Sequence, residues 1–410
     1  MTTDFHGPPK PFKVDIPQSD VDELHRRLEN ARWPLADPVA NDLDDDKQIH
    51  AFGLGHGPSL ALMKELAREW RNHSWETAQS RMNKFDHFKV GIEDNEVHFI
   101  HHRSSRANAV PMILVHGWPG SFLEFLNVIP LLTEPQEQDA QAFHVVVPSM
   151  PGYAFSSPPK TAKWQMPDTA RIFDKLMTGL GYDSYVAQGG DWGSVCARVI
   201  GANHRDHCKA VHLNFCPVPP AAPFSWVDPH VLVDWLPSVI LPEKQRARLK
   251  RTLYYLDKGS AYYVMQNLTP RTPAYGLNDS PIGLLAWIGE KMVPTIKQAA
   301  TQPNPTLTKD SLFETLSLYW FTHSIGSSFT PYSLNPHFKT FLTDPKYFLP
   351  NLAVSSFPYE IAVPTERDVR RTGNLKWMKE AEDGGHFAAL EKPEVFAEHV
   401  REAVVVMLRD

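Results

Sequence analysis

Cysteine is scarce. The 410-residue chain has three, Cys196, Cys208 and Cys216, gathered in one short region without metal-type spacing. That excludes a disulfide framework and reads as buried thiols. Long apolar runs are missing as well. No stretch approaches the roughly 18 apolar residues that span a bilayer, and Met1 to Lys10 holds no apolar signal-peptide core. The expectation is a soluble, cytoplasmic protein with no membrane partner. Net charge is only −6, which argues against nucleic acid as a partner. The chain has no dinucleotide-binding glycine fingerprint, no His/Cys/Asp cluster at metal-ligand spacing and no internal repeat or low-complexity tract. Neither a metal nor an organic cofactor is implied.

What remains is an ordinary globular balance, 42% hydrophobic and 21% charged residues. The chain is too long for one ordinary core. The 36 prolines are interleaved with Trp, Phe and Tyr, and so read as loop punctuation inside packed structure.

Residues 1–84 read as helical. Ser19-Asp20-Val21-Asp22 predicts a capping box, with Val21, Leu24, Leu28 and Ala31 following at helical spacing. A second helix is predicted from Pro58. Trp33, Trp70 and Trp75 are candidate docking anchors, and packing is their default role. From about residue 85 the period changes to two. His87–Ile92 and Val97–Ile100 predict a hairpin joined across Glu93-Asp94-Asn95-Glu96. The buried-strand runs Pro111–Val115 and Val145–Val147 then alternate with helices, one of them over about 168–180. This alternation predicts a mostly parallel sheet with helices on both faces. It stops at Pro217-Val218-Pro219-Pro220, and helices and aromatic-rich loops are predicted until about residue 350. The sheet is expected to resume at Tyr359-Glu360-Ile361-Ala362-Val363 and Trp377–Ala381, before a last helix over Pro393–Leu408.

One stretch carries chemistry. Tyr185-Val186-Ala187 is strand-like, Val195–Ile200 helix-like, and between them stands Gly189-Gly190-Asp191-Trp192-Gly193. Gly-x-Asp-x-Gly is the strand-turn-helix elbow that presents a nucleophile, with Asp where Ser is usual. A carboxylate at a helix N-terminus is favoured electrostatically and can attack carbon to form an ester. The plain alternative for Asp191 is a helix cap. His386, after Gly384-Gly385 and before the last helix, is a candidate base among 19 histidines. Glu360, Glu366 and Asp368 are candidates to orient it, and the residues alone do not rank the three. An oxyanion on Asp191 needs backbone N–H donors, for which the N–H groups of Trp118 and Trp192 are placed by the pattern.

His116-Gly117-Trp118-Pro119-Gly120-Ser121, Gly189-Gly190-Asp191-Trp192-Gly193-Ser194 and Gly384-Gly385-His386-Phe387 occur in that order. Together they resemble the microsomal-type epoxide hydrolases of the α/β-hydrolase superfamily. The resemblance extends to Pro11–Pro17 with Ala31-Arg32-Trp33-Pro34 and to Asn278–Ile288. It implies an α/β-hydrolase fold with a helical lid insertion and an N-terminal helical extension. The expected boundaries are 1–84 for the extension, 85–217 and 351–410 for the core, and 218–350 for the lid. It implies Asp191 as nucleophile and His386 as base. Phe357-Pro358-Tyr359-Glu360 matches the family's Phe-Pro-x-Glu, which selects Glu360 as the orienting acid. It also implies two lid tyrosines that protonate the epoxide oxygen. Registering on Gln266 and Pro270 selects Tyr262, with Tyr263 one residue away, and Phe329-Thr330-Pro331-Tyr332 supplies Tyr332.

The implied partner is a small hydrophobic epoxide. Detoxification or aromatic hydrocarbon catabolism is the implied setting. A homodimer is compatible with the aromatic insertions, although no interface signal is visible. Two rivals remain open here. One is a haloalkane dehalogenase using the same Asp191, against which the paired tyrosines argue. The other is a non-catalytic binding protein on this fold, against which Asp191, Glu360 and His386 argue.

Overall fold

The computed structural model describes residues 5–37, 49–50, 53–218 and 242–409. A nine-stranded sheet carries the fold. Its strands in chain order are β1 Lys10–Phe12, β2 His87–Ile92, β3 Asn95–His102, β4 Val110–Val115, β5 Phe143–Pro148, β6 Tyr185–Gly189, β7 Cys208–Leu213, β8 Leu349–Ser356 and β9 Gly373–Glu380. Across the sheet the order is β1-β2-β3-β5-β4-β6-β7-β8-β9. The strands from β5 to β9 run parallel, and β1, β2 and β3 add an antiparallel flank. This is the mostly parallel sheet that the alternating pattern predicts.

Both faces of the sheet are covered. Met112 and Leu114 of β4 enter one core cluster, and Ile113 and Val115 enter the other. Successive side chains of a strand point to opposite faces, so a strand buried on both sides reads as a continuous apolar run. The elbow strand β6 is buried along its whole length. Helix α1 Gln18–Glu29, α2 Leu60–Asn72 and α3 Trp75–Met82 precede the central strands; α4 Val128–Thr133, α5 Met166–Gly179 and α6 Asp191–Asn203 alternate with them.

Between β7 and β8 the described residues contain helices and no strand of the sheet. They are α7 Glu243–Tyr254, α8 Ala261–Leu268, α9 Arg271–Asp279, α10 Pro281–Ala299 and α11 Lys309–Thr322, with shorter turns after them. The expected break at Pro217–Pro223 lies mostly outside the described residues. The last helix, α12 Pro393–Arg409, packs back on the sheet. None of the described helices is long and apolar enough to cross a membrane.

Three local expectations need correction. Helix α1 opens one residue earlier than the predicted cap and has no side-chain cap. Pro17 sets the start instead: its carbonyl accepts the N–H groups of Asp20 and Val21 at 3.0 and 3.4 Å, while Ser19 Oγ donates to Asp20. The hairpin turn is shorter than expected. Ile92 pairs directly with Asn95, leaving Glu93-Asp94 as a two-residue loop with Glu93 at φ +52°.

The largest miss is the strand placed at 359–363. The strand is β8, and Tyr359 makes only an isolated bridge to Gly385. Pro358 and Pro364 lack the N–H that a ladder needs. The serines of β8 hid the true strand. They are buried, and Ser355 Oγ lies 2.8 Å from His212 Nε2 and 3.2 Å from His399 Nδ1. Paired polar atoms of this kind are tolerated in a core but break an apolar pattern.

The N-terminal helices touch the helices of the insertion. Trp70 Nε1 donates to Ser317 Oγ at 2.9 Å, and Lys309 Nζ lies 2.9 Å from both Glu65 and Glu69. Arg81 pairs with Glu314, and Arg27 lies 3.2 Å from Asp279. Trp70 is 1% exposed. Replacing it by alanine removes a large buried ring and leaves the Ser317 hydroxyl without this donor. We expect Trp70→Ala to cost about 3–5 kcal/mol, read as an earlier urea unfolding midpoint. An unchanged midpoint would show that this contact does not hold the two parts together.

Candidate active site

Strand β6 ends at Gly189 and α6 begins at Asp191 with only Gly190 between them. Asp191 itself has φ +45°, a left-handed conformation that costs energy for a residue with a Cβ. The close approach of α6 to β4 holds it there. A Cβ on Gly193 would lie 2.0 Å from the Val115 carbonyl oxygen, so only glycine permits this packing. The strained turn lifts the Asp191 side chain at the carboxyl end of the sheet.

Asp191 Oδ1 accepts the Trp118 N–H at 2.8 Å, and the Trp192 N–H also bonds to the carboxylate. Burial raises the Asp191 carboxyl, while His386 and these two amides pull it back. The second oxygen, Oδ2, lies 3.6 Å from His386 Nε2. On the far side of the ring, His386 Nδ1 lies 2.7 Å from Glu360 Oε1. That contact directs Nδ1–H at Glu360 and turns Nε2 toward Asp191. The Ile361 N–H donates to the same Glu360 oxygen at 2.6 Å.

Burial alone pulls the His386 imidazole down. The charge and hydrogen bond of Glu360 outweigh it, Asp191 and Glu124 add to them, and the group stands at about 9. The alternatives Glu366 and Asp368 are engaged elsewhere, with Arg370 at 2.6 Å and Arg371 at 3.4 Å.

Tyr262 on α8 and Tyr332 on the short helix Thr330–Ser333 both sit against Trp118, and Tyr332 also against Trp192. The Tyr262 ring stacks on Trp118 at 5.0 Å and 18°. The Tyr332 ring is edge-on to Trp192 at 5.0 Å and to Tyr262 at 6.1 Å. Burial pushes both phenols well above their ordinary range, so both are protonated at neutral pH. Tyr263 is less buried and contacts Tyr332 and Phe338 by ring edges at 5.3 and 6.1 Å.

Three neighbours were not visible as site residues in the sequence. Tyr255 places its hydroxyl 3.1 Å from that of Tyr262. A cavity of about 10 Å3 is lined by Asp191, His386, Glu124, Asn214, Gly117 and Phe387, room for about one water. Asn214 also accepts a hydrogen bond from Gln188 at 2.7 Å. Glu124 belongs to a turn of otherwise apolar residues, Phe122-Leu123-Glu124-Phe125, and this lone charge was its only signal. Its carboxyl fills the space beside Gly120, where a Cβ would meet Oε1 at 1.4 Å. Burial there pushes it up to about 8, with His386 opposing and Asp191 adding.

The model for the epoxide hydrolase N terminus matches residues 9–125, and that for the alpha/beta hydrolase fold matches residues 110–232. The chain is 32% identical to epoxide hydrolase 1 of Sus scrofa over 422 residues, covering 96% of this chain and 87% of that one. The chain belongs to the epoxide hydrolase family. The structure of the Aspergillus niger epoxide hydrolase superposes with a TM-score of 0.81 at 31% identity, over 98% of this chain and 97% of that one. The juvenile hormone epoxide hydrolase of the silkworm Bombyx mori gives 0.83 at 28% identity, over 100% and 96%.

This epoxide hydrolase has the α/β-hydrolase fold, and its reaction adds water to an epoxide. The dehalogenase and non-catalytic alternatives give way to that assignment. Because Glu360 is the main support for the His386 charge, Glu360→Gln is expected to bring His386 down from about 9 toward the ordinary value near 6.5. An NMR titration of the His386 ring reads this directly. A ring that still titrates near 9 in the variant would assign its charge to Asp191 and Glu124 instead.

Proposed function

We propose that the hydrolysis runs through a covalent ester on Asp191. The observation that carries this reading is the division of labour between its two oxygens. Oδ1 already accepts the Trp118 amide at 2.8 Å, while Oδ2 faces His386 Nε2 at 3.6 Å. Oδ2 attacks an epoxide carbon, the ring C–O bond breaks, and the departing oxygen takes a proton from Tyr262 or Tyr332. The geometry favours Tyr262 over Tyr263, since Tyr262 is the one stacked on Trp118. Oδ1 becomes the ester carbonyl oxygen with its amide donors in place, and these then hold the oxyanion during hydrolysis.

Alkylation of Asp191 also switches the base on. In the resting site His386 is held as an imidazolium by neighbouring carboxylates. Ester formation removes the Asp191 charge, so the imidazolium falls and gives up its Nε2 proton to solvent, regaining one when Asp191 is regenerated, and in between Nε2 can accept a proton. A water in the 10 Å3 cavity then loses a proton to His386 and attacks the ester carbonyl carbon. His386 returns that proton to the leaving alkoxide, and the net proton released by hydrolysis restores the tyrosine. Glu124, raised to about 8, is neutral at pH 7 and can both donate to and accept from this water.

Helices α7 to α11 form the lid over this site, and the N-terminal residues brace it through the contacts at Trp70, Lys309 and Arg81. We place the enzyme in the microsomal-type branch, a reading supported by the match to the epoxide hydrolase N terminus. The rings of Trp118, Trp192, Tyr263 and Phe338 clustered around the two phenols support a small hydrophobic epoxide as the substrate. A cytoplasmic location, epoxide detoxification and independence of any cofactor belong to the same reading.

The first test is the mass of His386→Gln after mixing with styrene oxide. The expected result is a gain of one epoxide on the peptide carrying Asp191. No adduct, with the wild type turning over the same epoxide, would mean direct attack by water. The second test separates the half-reactions in single turnovers. Breakdown of the wild-type ester should accelerate with pH and level off at an apparent pKa below the resting value of about 9, because one carboxylate has been neutralised. Glu124→Leu should slow that step on the order of 10²-fold and spare alkylation. Equal slowing of both steps would remove Glu124 from the role of holding water.

A further inference from the structure

Lys291 on α10 is 1% exposed. Burying an ammonium costs several kcal/mol unless it is paired, and a methionine would fill the same space without that cost. The ammonium has specific partners. Nζ donates to the Gly259 carbonyl at 2.9 Å and to Glu290 Oε1 at 2.7 Å, and it lies over the Tyr262 ring, 4.4 Å from the centroid. Gly259 closes a single π-helical turn, Tyr255–Gly259. The same turn sets the Tyr255 hydroxyl 3.1 Å from the Tyr262 hydroxyl. Lone π turns of this kind are common at functional sites. One buried cation therefore touches the ring of the proposed acid and anchors the turn that supplies that acid with a hydrogen-bond partner.

We propose that Lys291 is a positioning residue for ring opening, which lowers the cost of placing negative charge on the Tyr262 phenol. The proposal rests on the reading of Tyr262 as the acid. As the new bond from Asp191 Oδ2 to carbon forms, the epoxide C–O electron pair moves to oxygen and the Tyr262 proton follows it. The charge that began on Asp191 ends on the phenol. Burial opposes it there, and the groups facing it are Tyr255, Tyr332, Asp191 and the Lys291–Glu290 pair. Asp191 has become a neutral ester by then. Tyr255 can turn its hydroxyl toward the phenolate, and the ring face meets an ammonium. The pair does not cancel at this point, because the Glu290 side chain is 23% exposed and that of Lys291 1%, so water screens the carboxylate more than the ammonium.

The experiment is a double-mutant cycle on single-turnover kinetics with styrene oxide, followed by tryptophan fluorescence. Tyr262→Phe alone tests the acid; if it leaves alkylation unchanged, the reading of Tyr262 falls and the inference with it. Given a loss in Tyr262→Phe, Lys291→Met is expected to slow alkylation about tenfold and leave ester breakdown alone. Added to Tyr262→Phe, it should change alkylation by less than about twofold. A purely structural lysine would slow both half-reactions, or keep its full effect in the Tyr262→Phe background, and either result overturns the inference. Should Lys291→Met not fold, Lys291→Gln removes the charge while keeping a donor for the Gly259 carbonyl, and the same outcomes decide.

Discussion

The contact between His386 and Glu360 at 2.7 Å is the constraint around which the site is built. Both side chains are almost completely buried, and an unpaired charge in such a place would be expelled or neutralised. The pair is stable because the imidazole faces a second carboxylate, Asp191, and because backbone amides of Trp118, Trp192 and Ile361 take up carboxylate oxygens. Bringing these groups together requires the carboxyl ends of β4, β6, β8 and β9 to lie on one edge of the sheet, as its parallel half provides. In that sense the sheet order and the strained Asp191 serve one buried arrangement of charge.

On the proposed mechanism, the catalytic cycle is a displacement of one negative charge through prepared positions. It starts on Asp191, held by two amides and an imidazolium. Ring opening would move it to the Tyr262 phenol, beside the Tyr255 hydroxyl and under the Lys291 ammonium. Hydrolysis returns it to Asp191 through an oxyanion at Oδ1. In each position the compensating dipole or charge is in place before the charge arrives, which is how preorganised sites avoid reorganisation during reaction. The core supplies the compensation for the first and last positions, and α8, α10 and the π turn supply it for the middle one. On that reading the reaction needs both halves of the protein.

Much of this was legible because the elbow and the loops after the strands are short and chemically constrained. Asp191 between Gly189 and Gly193 has few structural alternatives, and Gly384-Gly385-His386 places the histidine after the last strand. The misses share a physical cause. Strand β8 was hidden because its buried Ser355 is satisfied by His212 and His399, which no periodicity rule can see. Glu124 and Lys291 were passed over because a charged residue in an apolar turn or helix looks like a surface residue until its neighbours are known. Tyr255 acquires its place from a π turn that no local pattern announces. The residues alone did not rank Glu360, Glu366 and Asp368; the family resemblance selected Glu360, and of the three only Glu360 reaches the imidazole.

The N-terminal helices make sense in the same terms. A lid that carries an acid must hold its phenol near Asp191, because small displacements of reacting groups are expensive in rate. Helices α8 to α11 have no strands of their own among the described residues to fix them to the sheet. Direct bonds to the core, such as Tyr319 Oη to the Gly120 carbonyl at 3.1 Å, hold them, and the N-terminal helices add to these. Trp70 reaches Ser317 inside the protein, and Lys309, Arg81 and Arg27 close ion pairs around it. Exposed pairs contribute little individually, so the buried tryptophan carries most of the energy and the ion pairs set the register. If the insertion carries the acid, as proposed, residues upstream of the sheet help to hold it in place through these contacts.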